Sequence, residues 1–140
     1  MKTLYKTSLL AMLALGVCSA RADVVVVVGA KSPVATLNKE QVTDIFLGKT
    51  ASFPSGGQAI PVDQSEGKAD REAFYSTVAG KSATQLKAYW SKLVFSGKAQ
   101  PPKQVPGAED VKKLVADNPN VVGYIDAGMV DASVKVVLKP

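Results

Sequence analysis

The sequence predicts an α/β domain built on a mixed, mostly parallel sheet covered by helices. Three observations carry that prediction. Val24 to Val28 is an unbroken run of valines ending at Gly29, and branched residues without polar alternation suit a strand covered on both faces, as in a parallel sheet clothed by helices. Leu86, Tyr89, Trp90, Leu93 and Val94 follow helical spacing more closely than any other stretch. Strand-like and helix-like segments mostly alternate along the chain, which favours a covered sheet with some antiparallel pairing near the end.

The elements follow in order. Lys31-Ser32-Pro33 breaks the valine strand. Asn38 and Gln41 form a variant capping box, with Leu37 and Val42 placed as a hydrophobic staple. The helix they open buries Val42, Ile45 and Phe46 and stops at Gly48. A Ser-, Gly- and Pro-rich loop over 49–58 leads to a strand at Ala59 to Val62. A second helix carries Ala73, Phe74 and Val78 inward and ends at Gly80, and Ser82 with Gln85 caps the third. The spacing of Tyr89 and Trp90 assigns both to the core rather than to a stacking pair for a ligand, since burying such a side chain contributes roughly 1.5–3 kcal/mol. Positions 96–106 read as a long loop with adjacent prolines at 101 and 102. A short helix from Ala108 to Ala116 buries Val111, Leu114 and Val115, and the strands Val121 to Ile125 and Val134 to Leu138 close the chain.

The start of the 140-residue chain is set apart from this domain. Lys2 and Lys6 precede the apolar run Ser8 to Val17, and Ala20-Arg21-Ala22 has the small-x-small form of a signal-peptidase site. Residues 1–22 are therefore expected to be a signal peptide, residues 23–140 a single exported, periplasmic domain. The apolar run is too short for a permanent membrane span. Bulky Val17 before Cys18 disfavours lipid attachment, so no stable membrane anchor is expected. Cleavage removes three of the 17 basic residues and none of the 12 acidic ones, taking the net charge from +5 to +2. With no basic run and no cluster of exposed-looking aromatics, nucleic acid is not the expected partner. The chain has no histidine, and its only cysteine lies in the cleaved segment. That excludes His-based acid–base catalysis, Cys nucleophiles and typical zinc sites. A Ser–Lys or carboxylate-pair enzyme stays open, but no spacing favours one, so no catalytic residue, metal or cofactor is expected and the protein reads as a non-enzyme.

One stretch suggests a binding chemistry. Ile60 to Phe74 reads as a strand, a polar turn with Gly67, and the opening of a helix. Such a junction directs unpaired backbone N–H groups and the helix's partial positive end at one point, and Lys68 and Arg71 add cations beside it. The alternative is that Gly67 supplies an awkward backbone angle and the charges are merely solvated. Gly48-Lys49-Thr50 and Gly80-Lys81-Ser82 mimic the end of a P-loop, but each lacks the earlier glycine and follows a helix instead of a strand.

Ile45-Phe46-Leu47-Gly48-Lys49, the turn Ser55-Gly56-Gly57, Ile60 to Phe74 and Val122-Gly123-Tyr124 occur in the order of the phosphate-binding proteins of ABC importers, and the chain resembles that branch of the type II periplasmic binding proteins. The resemblance spans nearly all of residues 23–140. It implies one lobe of a fold that normally has two, entered at the valine strand, with the first lobe and its phosphate loop absent. The family's Gly-Ser-Gly-Thr-Arg corresponds to Gly67-Lys68-Ala69-Asp70-Arg71, with Gly67 and Arg71 kept. A family arginine just before the glycine corresponds to Gln64, and Asp70 replaces a threonine with a charge that repels anions if it faces the site. The implied function is a periplasmic phosphate (oxyanion) substrate-binding-like protein of ABC-type phosphate uptake or sensing. Its oxyanion-binding residues would be Ser32, Gly67, Lys68, Ala69, Asp70 and Arg71. An ABC permease, a membrane sensor or a second copy are the implied protein partners. The alternative is a single-lobe interaction module that has lost ligand binding and docks on a sensor, a porin or itself.

Overall fold

The computed structural model describes residues 23–140, so the expected signal peptide at 1–22 lies outside the described residues. The domain is a five-stranded sheet between two helical layers. Its strands are β1 (Val24–Gly29), β2 (Ile60–Gln64), β3 (Lys103–Val105), β4 (Val121–Asp126) and β5 (Val134–Leu138), arranged β3-β2-β4-β1-β5. β2 runs parallel to both β3 and β4, whereas β1 is antiparallel to β4 and to β5. Four of the five strands thus point one way and β1 the other, which gives the mixed, mostly parallel sheet expected. The valine strand is the exception to its own direction, because burial on both faces requires covering helices and not parallel neighbours.

Side chains on a strand alternate between faces, and the valine run divides its contacts accordingly. Val24, Val26 and Val28 join a core with α1 (Lys39–Phe46), α2 (Ala69–Phe74) and α3 (Ala83–Phe95). Val25 and Val27 join a second core under α4 (Ala108–Asp117). The Asn38–Gln41 and Ser82–Gln85 capping boxes both form, each with its two reciprocal bonds. Leu37 and Val42 are both buried in the first core, as a staple requires.

Several local features differ from the sequence reading. The second helix widens into a π-type turn over Tyr75–Ala79 before Gly80, at φ +64°, ends it. Lys81 N–H then bonds back to the Tyr75 carbonyl, closing the helix end. On α3 only Leu86 and Trp90 are buried, while Tyr89 and Leu93 are half-buried. Val94, expected in the core, is 42% exposed and Phe95 is 95% exposed, because the inward face of α3 is carried by Leu86, Tyr89, Trp90 and Leu93 and leaves its last two residues uncovered. Within the expected loop at 96–106, Lys103–Val105 adds the edge strand β3 to β2. No helix among the described residues is long and apolar enough to cross a membrane.

Candidate functional site

The carboxyl ends of β2, β3, β4 and β5 share one edge of the sheet, where open α/β sheets bind ligands. The turn after β2 lies on this edge. Lys68 N–H donates to the Ser65 carbonyl at 3.3 Å, and Gly67 occupies the turn at φ +85°. Ser65 fixes the turn to β3, its N–H and hydroxyl both donating to the Val105 carbonyl at 3.0 and 3.1 Å. α2 starts at Ala69 with Lys68 as N-cap, and no side chain caps it. The N–H groups of Ala69, Asp70 and Arg71, which lack intrahelical acceptors, therefore remain available. Neither Asp70 nor Glu66 folds back onto them.

Gly67, Lys68, Ala69 and Asp70 come together at this turn. Lys68 is exposed and extends its Nζ toward Gly107, the N-cap of α4, reaching 3.9 Å from where a Cβ there would sit. Asp70 is half-buried, and its carboxyl is held above the ordinary range by desolvation first and the charge of Asp126 second, with Lys68 opposing. The turn thus offers backbone donors and the exposed Lys68 ammonium beside the carboxylates of Glu66, Asp70 and Asp126.

Ser32 does not join them. It follows Gly29, which pairs with Val134 at the start of β5. Val24, at the other end of β1, pairs with Asp126 on the edge that carries the turn. β1 has six residues, so Ser32 lies about 20 Å from the turn at roughly 3.3 Å of rise per residue. There its hydroxyl accepts from Val34 N–H at 3.2 Å.

Arg71 also departs from the cradle. Its side chain turns inward and its Nε donates to Asp63 Oδ2 at 3.4 Å, with the guanidinium 5.3 Å from the centre of the Tyr75 ring. Asp63 is 1% exposed and serves as a buried hub. Tyr75 OH donates to Oδ2 at 2.6 Å, Gln64 N–H to Oδ1 at 2.8 Å, and Tyr124 OH to Oδ1. Gln64 Nε2 in turn donates to the Tyr124 carbonyl at 3.0 Å. Tyr124 stacks on Phe74 with ring centres 4.1 Å apart, and Phe74 meets Phe46 edge-on at 4.8 Å. The hub is therefore locked from the strand, from both tyrosines and from the aromatic core below. Desolvation leads the causes that push the Tyr75 and Tyr124 hydroxyls far above the ordinary phenol range, followed by the nearby Asp63 charge.

Asp63 lies within the Ile60 to Phe74 stretch, but the sequence alone assigns it no role. A signal was present: aspartate is disfavoured in strand interiors and is seldom fully buried unless paired. A cation eight positions on, at the first turns of the following helix, was the available partner.

No family model matches the chain, and no curated protein matches it. Solved structures do. A candidate phosphate ABC transporter substrate-binding protein from Clostridium perfringens, solved with bound phosphate, is similar over 82% of this chain and 44% of its own, at 27% identity and a TM-score of 0.66. An ABC-type phosphate transport receptor from Vibrio cholerae is similar over 82% and 45%, at 23% identity and a TM-score of 0.65. PstS from Borrelia burgdorferi is similar over 82% and 46%, at 9% identity and a TM-score of 0.62. The chain thus spans less than half the length of the structures it matches. They share its fold; the first is named as a substrate-binding protein and the second as a phosphate transport receptor.

Proposed function

We propose that this chain is an oxyanion-binding unit of the phosphate-binding class, serving ABC-type phosphate uptake or sensing in the periplasm. The observation that supports it best is the uncapped first turn of α2 on the carboxyl edge of β2. It occurs in a fold shared with a 27%-identical protein solved with phosphate. In this reading the N–H groups of Ala69, Asp70 and Arg71 hold the anion, Gly67 makes the turn, and Lys68 supplies the counter-charge. Arg71 contributes a positive charge from behind, while its own side chain stays on Asp63. Ser32 belongs to no part of this site. Titration with phosphate should raise the melting temperature, with about 2.7 kcal/mol of added stability when ligand reaches 100 times its dissociation constant. Absence of any shift with millimolar phosphate, sulfate or molybdate would reject the reading.

Asp70 tunes this site in the wrong direction for an anion. Asp70→Asn removes one of the carboxylates near the turn, so phosphate should bind several-fold more tightly at neutral pH, as read by calorimetry. The same substitution has a stability signature. Because the folded pKa of Asp70 is raised, the folded chain holds more protons than the unfolded one between the ordinary and the raised values. Stability therefore falls as pH rises through that window. Asp70→Asn should flatten that slope in pH-dependent urea titrations.

A second reading has its own support. Phe95, 95% exposed beside half-exposed Val94, forms an apolar tip on α3. It fits a docking module that engages a permease, a membrane sensor, a porin or a second copy. Size-exclusion chromatography that shows a stable dimer or complex, unchanged by added anion and lost in Phe95→Asp, would favour it.

A further inference from the structure

We propose that the groove between α2, α3 and the start of β3 is a second binding site, for a small zwitterion with an apolar side group, of the α-amino acid class. The groove borders the oxyanion turn, with Gly67 and Arg71 on its lining, but it uses side chains instead of backbone donors and does not depend on the oxyanion reading. The groove has a volume of about 460 Å³, within the range of small-molecule sites. Its floor is apolar, built by Leu86, Trp90, Val94 and Pro101.

Arg71 provides the independent observation. It is 8% exposed, and among the described residues only its Nε has an acceptor, Asp63. No fully buried side-chain nitrogen lacks a partner among the described residues, so the two Nη groups must border open space. The groove is a cavity that Arg71 lines. Two adjacent Nη donors on a planar fork, held from behind by Asp63, match a carboxylate. With Arg71 counted, the lining carries two positive charges, Arg71 and Lys87, and two carboxylates, Glu66 and Glu72. A simple anion would be repelled by that pair and a simple cation by Arg71 and Lys87. A ligand carrying both charges satisfies each, with its carboxylate on Arg71 and its ammonium on Glu66 or Glu72. The apolar floor then receives the side group, which accounts for Val94 being left 42% exposed at that position.

The test is calorimetry of the protein with L-phenylalanine, 3-phenylpropanoate and 2-phenylethylamine. L-Phenylalanine should bind saturably, and each analogue, lacking one charge, should bind at least about tenfold more weakly. Ser91 is exposed on α3 and lines the groove, so Ser91→Trp should fill it and abolish binding, with an unchanged circular dichroism spectrum. Phosphate titration of Ser91→Trp keeps the two sites separate, because its response should match the unsubstituted protein. No binding of L-phenylalanine by the folded protein overturns the proposal. So does equal binding of either analogue, or full retention of binding in Ser91→Trp.

Discussion

Asp63→Ala is expected to leave the domain largely unfolded at room temperature. The substitution leaves Arg71, largely buried with only its Nη groups reaching the groove, without its carboxylate, and breaking one side of a fully buried pair costs about 3–5 kcal/mol, an upper bound here. It also removes the acceptor of the Tyr75 and Tyr124 hydroxyls, and each buried donor left unsatisfied adds roughly 1–3 kcal/mol. These terms are coupled and will not sum fully, but a domain's whole stability is only about 5–15 kcal/mol. Urea titration followed by circular dichroism should show the midpoint collapse. Asp63→Asn keeps an acceptor oxygen for the tyrosines and should lose distinctly less. The tyrosines give a second readout. Their folded pKa values lie above the ordinary 10.0, so the folded chain retains phenolic protons that the unfolded chain releases. Stability is therefore intact below about pH 10 and declines as pH rises beyond it. Tyr75→Phe should lessen that alkaline decline at the expense of a lower midpoint at neutral pH. If Asp63→Ala unfolds at the same urea concentration as the parent, the hub does not hold the fold.

Most of the framework was legible because it is written in local signals. The two capping boxes sit at Asn38 and Ser82 because a side-chain oxygen there satisfies a nearby N–H, a pairing that depends on three residues of spacing and little else. The valine run signals two-sided burial whatever the direction of its neighbours, so its covering was predictable and its antiparallel pairing was not. β3 escaped notice because three residues, two of them exposed and polar, carry no pattern of their own; pairing with β2 makes them a strand. Val94 shows the reverse failure. Its helical spacing is correct, but the layer that would cover it ends before the helix does. At the candidate site, the glycine turn and its free amides followed from a strand–turn–helix order. The rotamer of Arg71 did not, since it is settled by a carboxylate and two phenols from three separate elements. The place of Ser32 after a strand suggests a contributor to the turn, but the antiparallel course of β1 carries it to the opposite edge.

Gly29→Ala should be the most damaging single-methyl insertion in the domain, and its cause is contact, not backbone angle, since Gly29 has no positive φ. A Cβ at this position would lie 2.6 Å from the Val115 carbonyl oxygen of α4. Gly123 faces the same helix, where a Cβ would lie 2.4 Å from Val111 Cγ1. The two glycines, on adjacent strands, form the seat that lets α4 approach the sheet closely enough to bury Val111 and Val115 completely. Overpacking of this kind typically costs about 1–3 kcal/mol and occasionally more. The obstacles differ in kind. At Gly123 it is a methyl, which can be deleted; at Gly29 it is a carbonyl fixed in a helix, which can be relieved only by shifting α4. A double-mutant cycle separates the two. Val111→Ala should recover part of the stability lost in Gly123→Ala, because the second substitution vacates the space the first one fills. The same Val111→Ala should recover little in Gly29→Ala, whose midpoint in urea should remain the lower of the two. Equal rescue in both backgrounds would mean that α4 yields as a body, and that its seat on the glycines is not tight.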